Sequence, residues 1–164
     1  MVMGLTLETF TRLHVVISLI GIVSGIGVLA GLLGGRRLDA WTAVFLATNV
    51  LTSLSGYLFP VEHLLPSHVV GALALVLLTV AIVSRYVKHM AGGWRRAYVN
   101  SAVAALYLNV FVLVVQLFLK VPALHALAPR GQEPPFAVAQ GMVLILFAML
   151  GRQAAKRFGA APQR

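Results

Sequence analysis

Two histidines, His14 and His68, are the residues whose chemistry most directly suggests a site, because each lies at the start of a long apolar stretch. Imidazole nitrogens are common axial ligands of haem iron, and helical bundles hold cofactors between facing helices. One hypothesis is therefore a haem b with these two histidines as its axial ligands. Its propionates would then reach Arg12 or Lys120 at the membrane surface.

A quinone head group is a second hypothesis for the same place. Its oxygen atoms form hydrogen bonds with imidazole, hydroxyl and amide groups. Such groups occur at helical spacing along the apolar stretches that carry the histidines. The haem and quinone hypotheses share one predicted set of cofactor-binding residues, namely His14, His68, Ser18, Asn109, Gln116 and Lys120.

A zinc or copper ion is a third hypothesis, since both metals bind imidazole. The predicted ligands are His14, His63 and His68, with Glu62 nearby. The chain has no cysteine, which excludes thiolate ligands and disulfides. No phosphate-binding loop, nucleotide fingerprint, nucleophile elbow or zincin motif is present. This absence favours a protein that is not an enzyme, and no catalytic residue is predicted.

The composition indicates that these residues are carried by membrane helices. Hydrophobic residues make up 60% of the 164 residues and charged residues 10%, whereas soluble domains have about 45–50% and about 25%. The predicted fold class is an all-α integral membrane protein with a bundle of five transmembrane helices in a single domain, 1–164. The predicted spans are 11–35, 40–59, 68–86, 97–119 and 136–151, followed by a basic C-terminal tail at 152–164.

The first span is predicted to be the central helix of the bundle. Glycines at Gly21, Gly25, Gly27, Gly31 and Gly35 form three overlapping pairs of small residues four apart. Such pairs let the backbones of neighbouring membrane helices approach closely. Replacing Gly25 or Gly31 by leucine is therefore expected to destabilise the protein more than the same change at Gly141.

The net charge of +9 reflects membrane topology and does not indicate a nucleic-acid partner, because the basic residues lie in short loops and the tail. Five crossings place Arg12, Lys120 and Arg130 on one side of the membrane. The positive-inside rule puts the other ten basic residues in the cytoplasm of a bacterial inner membrane, with the N-terminus outside and the C-terminus inside. These ten are Arg36, Arg37, Arg85, Lys88, Arg95, Arg96, Arg152, Lys156, Arg157 and Arg164.

With this orientation, most polar groups of the spans fall in the outer half of the membrane. Asn49 and Asn109 lie near mid-span. Buried amides of this kind either join helices by hydrogen bonds or contribute to a ligand pocket. Four of the five histidines fall on the outer side, namely His14, His63, His68 and His125.

Three classes of function follow from these features. The first is a protein whose polar, histidine-bearing outer pocket binds a haem, a quinone or another lipophilic ligand. The second is a non-catalytic accessory or assembly subunit of a larger membrane complex, and the third is an oligomeric passive channel. Coupled transport is disfavoured because it usually needs a carboxylate inside the membrane. The four acidic residues lie in loops or tails, namely Glu8, Asp39, Glu62 and Glu133. The expected partners are the lipid bilayer and either a larger complex or further copies of the chain.

Overall fold

The computed structural model describes residues 2, 4–60 and 66–160, which form helices joined by short turns. The elements in chain order are α1 (Leu7–Leu33), α2 (Asp39–Gly56), α3 (Pro66–Ile82), a π-helical turn (Val83–Val87) that continues α3, α4 (Trp94–Lys120), α5 (Pro122–Leu127) and α6 (Pro134–Ala160). Apart from one isolated bridge between Val2 and Leu5, all regular structure in these residues is helical. The predicted all-helical class is confirmed.

Local sequence explains where α1 begins and ends. The hydroxyl oxygen of Thr6 accepts the backbone N–H of Thr9 at 3.2 Å, a side-chain cap for a helix start. At the other end, the backbone N–H of Arg36 donates to the carbonyl of Gly31 at 2.8 Å. Gly35 has a φ of 69°, the left-handed conformation that this C-terminal motif requires. The chain can then turn sharply into α2.

Contacts between helix ends show that α1, α2, α3, α4 and α6 run alternately in opposite directions, so the described part of the molecule has two distinct ends. At one end Phe10 of α1 packs against Phe59 beyond α2, with ring centroids 5.0 Å apart. At the other end Arg157 of α6 donates to the carbonyl of Leu33 at 3.2 Å. The first is called the histidine end, after His14, His68 and His125. The second is called the basic end, after Arg36, Arg85, Arg96, Arg152 and Lys156.

Among the described residues, four helices are long and apolar enough to cross a membrane, namely α1, α3 with its π-helical turn, α4 and α6. This is compatible with a multi-pass membrane protein. Helix α2 has 18 residues, and a larger share of them have polar side chains than in the other long helices. Its hydroxyls bond within the helix: Thr48 donates to the carbonyl of Val44 at 2.7 Å, and Thr52 to that of Thr48 at 2.8 Å.

Some helix boundaries differ from the predicted spans. Helix α1 begins at Leu7 rather than at residue 11. Helix α6 continues to Ala160, so residues 152–160 of the predicted tail are helical. Alanine, glutamine, lysine and arginine in this segment are good helix formers, which explains the extension. The proline-rich segment between the fourth and fifth predicted spans contains the six-residue helix α5.

Helix α4, rather than the predicted α1, is the most central helix. It contacts every other helix, whereas α1 packs against α2, α4 and α6. The main hydrophobic core lies toward the basic end, and its largest members include Phe45, Leu78, Tyr98, Leu106 and Phe158. The packing at the histidine end contains more polar and small side chains, and a cavity is found there.

Candidate functional site

A cavity of about 120 Å³ lies between α1, α2, α3 and α4 in the half of the molecule toward the histidine end. At about 30 Å³ per molecule it has room for about four waters. Its apolar lining comes mainly from alanine, valine and leucine side chains. Its polar lining consists of His14, Ser18, Asn49, Thr52, Ser53, Tyr57, Ser67, His68 and Asn109.

A hydrogen-bonded chain of side chains joins three helices on one side of the cavity. The hydroxyl of Ser18 donates to Asn109 Oδ1 at 2.8 Å, and Asn109 Nδ2 donates to Asn49 Oδ1 at 2.9 Å. Asn49 Nδ2 in turn donates to the carbonyl of Phe45 at 2.8 Å. Both asparagines therefore act as links between α1, α2 and α4, and they also line the cavity.

The close approach of these helices depends on Gly21. A Cβ atom at this position would lie 2.8 Å from Asn49 Nδ2 and 3.3 Å from Asn109 Nδ2. Both separations are shorter than an ordinary van der Waals contact, so a larger residue would displace the paired amides. The glycine pattern of α1 thus positions the polar groups of the site as well as the helices.

His14 is oriented by α2. Its Nδ1 lies 2.8 Å from Ser55 Oγ, and the Ser55 hydroxyl donates its single proton to the carbonyl of Thr52 at 3.2 Å. The tautomer in which Nδ1 donates to Ser55 Oγ is compatible with both contacts and leaves Nε2 with a lone pair. The ring edge also packs at 90° to Phe59, with centroids 5.2 Å apart. Ser55 and Phe59 thus hold the imidazole beside the cavity.

His68 reaches the cavity from the start of α3. Its backbone carbonyl accepts the hydroxyl proton of Tyr57 at 2.6 Å, and the two rings lie with centroids 5.3 Å apart. A Cβ at Gly71 would lie 3.3 Å from the Tyr57 ring, so the small residue one turn further along α3 gives the tyrosine room. Tyr57 therefore ties the end of α2 to the start of α3 at the cavity.

The structure brings together four of the six predicted cofactor-binding residues. His14, Ser18, His68 and Asn109 all line the cavity. Gln116 and Lys120 are exposed on α4 and do not line it. Gln116 is seven residues beyond Asn109, or about 10 Å along the helix axis, and so small a cavity does not extend that far.

Two of the residues named in the metal hypothesis, His63 and Glu62, lie outside the described residues. Within residues 2, 4–60 and 66–160, no three histidine or acidic side chains are close enough together to hold a metal ion. His14 and His68 line the same cavity, and the metal hypothesis for the whole set of three ligands stays a prediction.

Sequence reasoning did not identify Ser55 as the partner of His14. The two residues are 41 positions apart, and no local pattern connects them. Comparison with protein-family models, curated proteins and solved structures finds no match to this chain.

Proposed function

We propose that the chain is a five-span membrane protein. Helices α1 and α3 both run from the histidine end to the basic end, so the chain between them has to return across the same distance through α2. Its 18 residues span about 27 Å, close to the roughly 30 Å of a hydrocarbon core. Two features lower the free-energy cost of placing the polar side chains of α2 in a hydrocarbon core. Some of its hydroxyls form hydrogen bonds within the helix, and Thr42 and Asn49 are buried in the protein.

The proposed orientation has the histidine end outside a bacterial inner membrane and the basic end in the cytoplasm. It is supported by the distribution of arginine and lysine, which are concentrated at the basic end as the positive-inside rule requires. The arginine and lysine residues in the described part of the histidine end are only Arg12, Lys120 and Arg130. Arg12 is paired with Glu8.

Single-cysteine labelling tests this topology cleanly, because the natural chain has no cysteine. Arg130→Cys is expected to react with a membrane-impermeant maleimide in intact cells. Arg36→Cys, also exposed but at the basic end, is expected to react only after the cells are permeabilised. Labelling of Arg36→Cys in intact cells would show that the basic end is outside and would contradict the proposed orientation.

We further propose that the cavity binds the head group of a quinone, in its reduced quinol form. The observation that carries this is the imidazole of His14, which Ser55 and Phe59 hold beside a cavity that four helices line with hydroxyl and amide groups. A neutral imidazole has one ring nitrogen without a proton, and that nitrogen suits an O–H donor. No partner of Nε2 is found among the described residues.

The cavity volume favours a single ring over a haem. A cavity of about 150 Å³ accommodates benzene, and the present one is slightly smaller at about 120 Å³, so a quinol ring would fill it and project from its open side. Sites for larger ligands usually measure about 300–1,000 Å³. A haem would have to displace the amide links between Ser18, Asn109 and Asn49, whereas a single ring would leave them in place.

Purification in a mild detergent, followed by solvent extraction and mass spectrometry, tests the ligand directly. The wild-type protein is expected to carry close to one quinone per chain. His14→Ala is expected to lower quinol affinity about tenfold, since a hydrogen bond to a buried group contributes about 1–1.5 kcal/mol. The matched control is His125→Ala, because His125 is exposed on α5 and does not line the cavity.

The same preparation distinguishes the other classes of function. A Soret band in the visible spectrum that disappears in His14→Ala and His68→Ala would show that the ligand is a haem and not a quinone. A protein that carries no quinone, and whose stability does not change when quinol is added, would contradict the ligand proposal. The accessory-subunit class would then be favoured, and co-purifying membrane proteins would be the next measurement.

A further inference from the structure

A groove with a volume of about 640 Å³ runs between α4 and α6 near the basic end, away from the cavity described above. Its mouth carries Arg96 from α4 and Arg152 and Lys156 from α6. All three side chains are exposed. The groove therefore combines positive charge at the end of the helices with an opening along their sides.

No acidic side chain among the described residues lines this groove. Asp39, the described acidic residue at the basic end, is paired with Arg85. Glu8 and Glu133 are at the histidine end. The three cations at the mouth of the groove are thus available to a negatively charged partner.

The rest of the groove is lined mainly by apolar side chains. Tyr107 of α4 and Leu144 and Phe147 of α6 form its wall further from the basic end. From Leu144 to Lys156 the groove follows 12 residues of α6, or about 18 Å. This length is close to the roughly 15 Å that one leaflet contributes to the hydrocarbon core.

Small residues keep the groove open. Ala148 is exposed on the groove surface. A Cβ at Gly151 would lie 3.1 Å from Val103 Cγ1, which shows how closely α4 and α6 approach at the floor. The groove is thus a shallow channel between two helices, open to the surrounding lipid along its length.

We infer that this groove binds an anionic phospholipid. The phosphate interacts with Arg96, Arg152 and Lys156, and one acyl chain lies along the apolar wall. Basic pockets between membrane helices have the chemistry that recognises anionic head groups, and the leaflet-length apolar wall selects a lipid over a soluble anion. The inference depends on insertion in a membrane and goes beyond the proposed quinone site.

The test uses the full chain, delipidated in a neutral detergent, with phosphatidylglycerol and phosphatidylcholine as the two probes. Phosphatidylglycerol is expected to raise the thermal midpoint and to remain bound in native mass spectrometry, whereas phosphatidylcholine does neither. Arg152→Gln/Lys156→Gln is expected to weaken phosphatidylglycerol binding about tenfold or more, because each basic side chain near an anionic head group contributes about fivefold.

Arg36→Gln/Arg37→Gln is the matched control. It removes two exposed charges from the same end without touching the groove, so binding is expected to stay within about twofold of wild type. An equal loss in the two double variants would overturn the inference, because general surface charge would then explain the binding. Equal binding of the two lipids to the wild-type protein would overturn it as well.

A third variant tests the apolar wall. Ala148→Phe keeps all the charges and places a ring in the groove from an exposed position, so it is expected to weaken phosphatidylglycerol binding at least fivefold. Inorganic phosphate is not expected to compete with the lipid. Unchanged lipid binding by Ala148→Phe, together with competition by phosphate, would identify a simple anion site and overturn the inference.

Discussion

Replacing Gly25 by leucine is expected to lower the free energy of unfolding by about 3 kcal/mol, the upper part of the usual range for overpacking. A Cβ at this position would lie 2.5 Å from Leu106 Cδ1 and 2.8 Å from two ring carbons of Phe45. Both neighbours are fully buried in the core, so neither can move without displacing others. Thermal unfolding in a mild detergent measures the loss, at about 2–4 °C per kcal/mol for a chain of this size.

The matched control is Gly141→Leu. Nothing lies within 4 Å of a Cβ built at Gly141, and leucine is a better helix former than glycine, so the midpoint is expected to stay the same or to rise slightly. Gly25→Ala is expected to fall between the two leucine variants. If Gly25→Leu unfolds at the same temperature as Gly141→Leu, close packing of α1 against α2 and α4 does not determine stability.

The convergence of the site residues follows from two simple properties of the sequence. Helical spacing puts His14 and Ser18 one turn apart on α1. Alternation of helix direction then brings the start of α3, and with it His68, to the same end as the start of α1. Asn49 and Asn109 meet because each lies near the middle of its helix, and this also follows from the helix lengths.

Helical spacing predicts on which face of a helix a residue lies. It does not predict how far along that face the neighbouring helices pack against it. Gln116 and Lys120 lie on the same face of α4 as Asn109, yet both are exposed. They are about 10 Å and about 16 Å further along the axis, beyond the end of the cavity. The Ser55 contact of His14 depends in a similar way on the rotation of α2, which no local pattern determines.

Arg85 is a second case in which sequence reasoning is incomplete. The sequence places it in a basic loop with Lys88, Arg95 and Arg96, where it is interpreted as a topology signal. In the structure α3 continues through a π-helical turn, and this turn buries Arg85. The turn packs against α4, and Arg85 within it pairs with Asp39 at the start of α2. Arg85 therefore has a structural role that its charge alone did not reveal.

Asp39→Asn is expected to lower the free energy of unfolding by about 2 kcal/mol. The side chain of Arg85 is only 4% exposed, forms an ion pair with Asp39, and lies 5.2 Å from the centroid of the Tyr98 ring. Removing one partner of a buried pair costs about 3–5 kcal/mol. Asp39 is 76% exposed, so water already screens part of the attraction and the expected loss is smaller. The measurement is again thermal unfolding in detergent.

Glu8→Gln is the control for this prediction, because it breaks the Arg12–Glu8 pair on the exposed surface of α1 and is expected to cost only about 0.3–0.5 kcal/mol. The double variant Asp39→Asn/Arg85→Met removes the buried charge along with its partner. It is expected to be more stable than Asp39→Asn alone, since methionine can occupy the apolar surroundings of the arginine stem without an unpaired charge. If the double variant is no more stable than the single one, the cost of Asp39→Asn does not come from leaving Arg85 buried and unpaired.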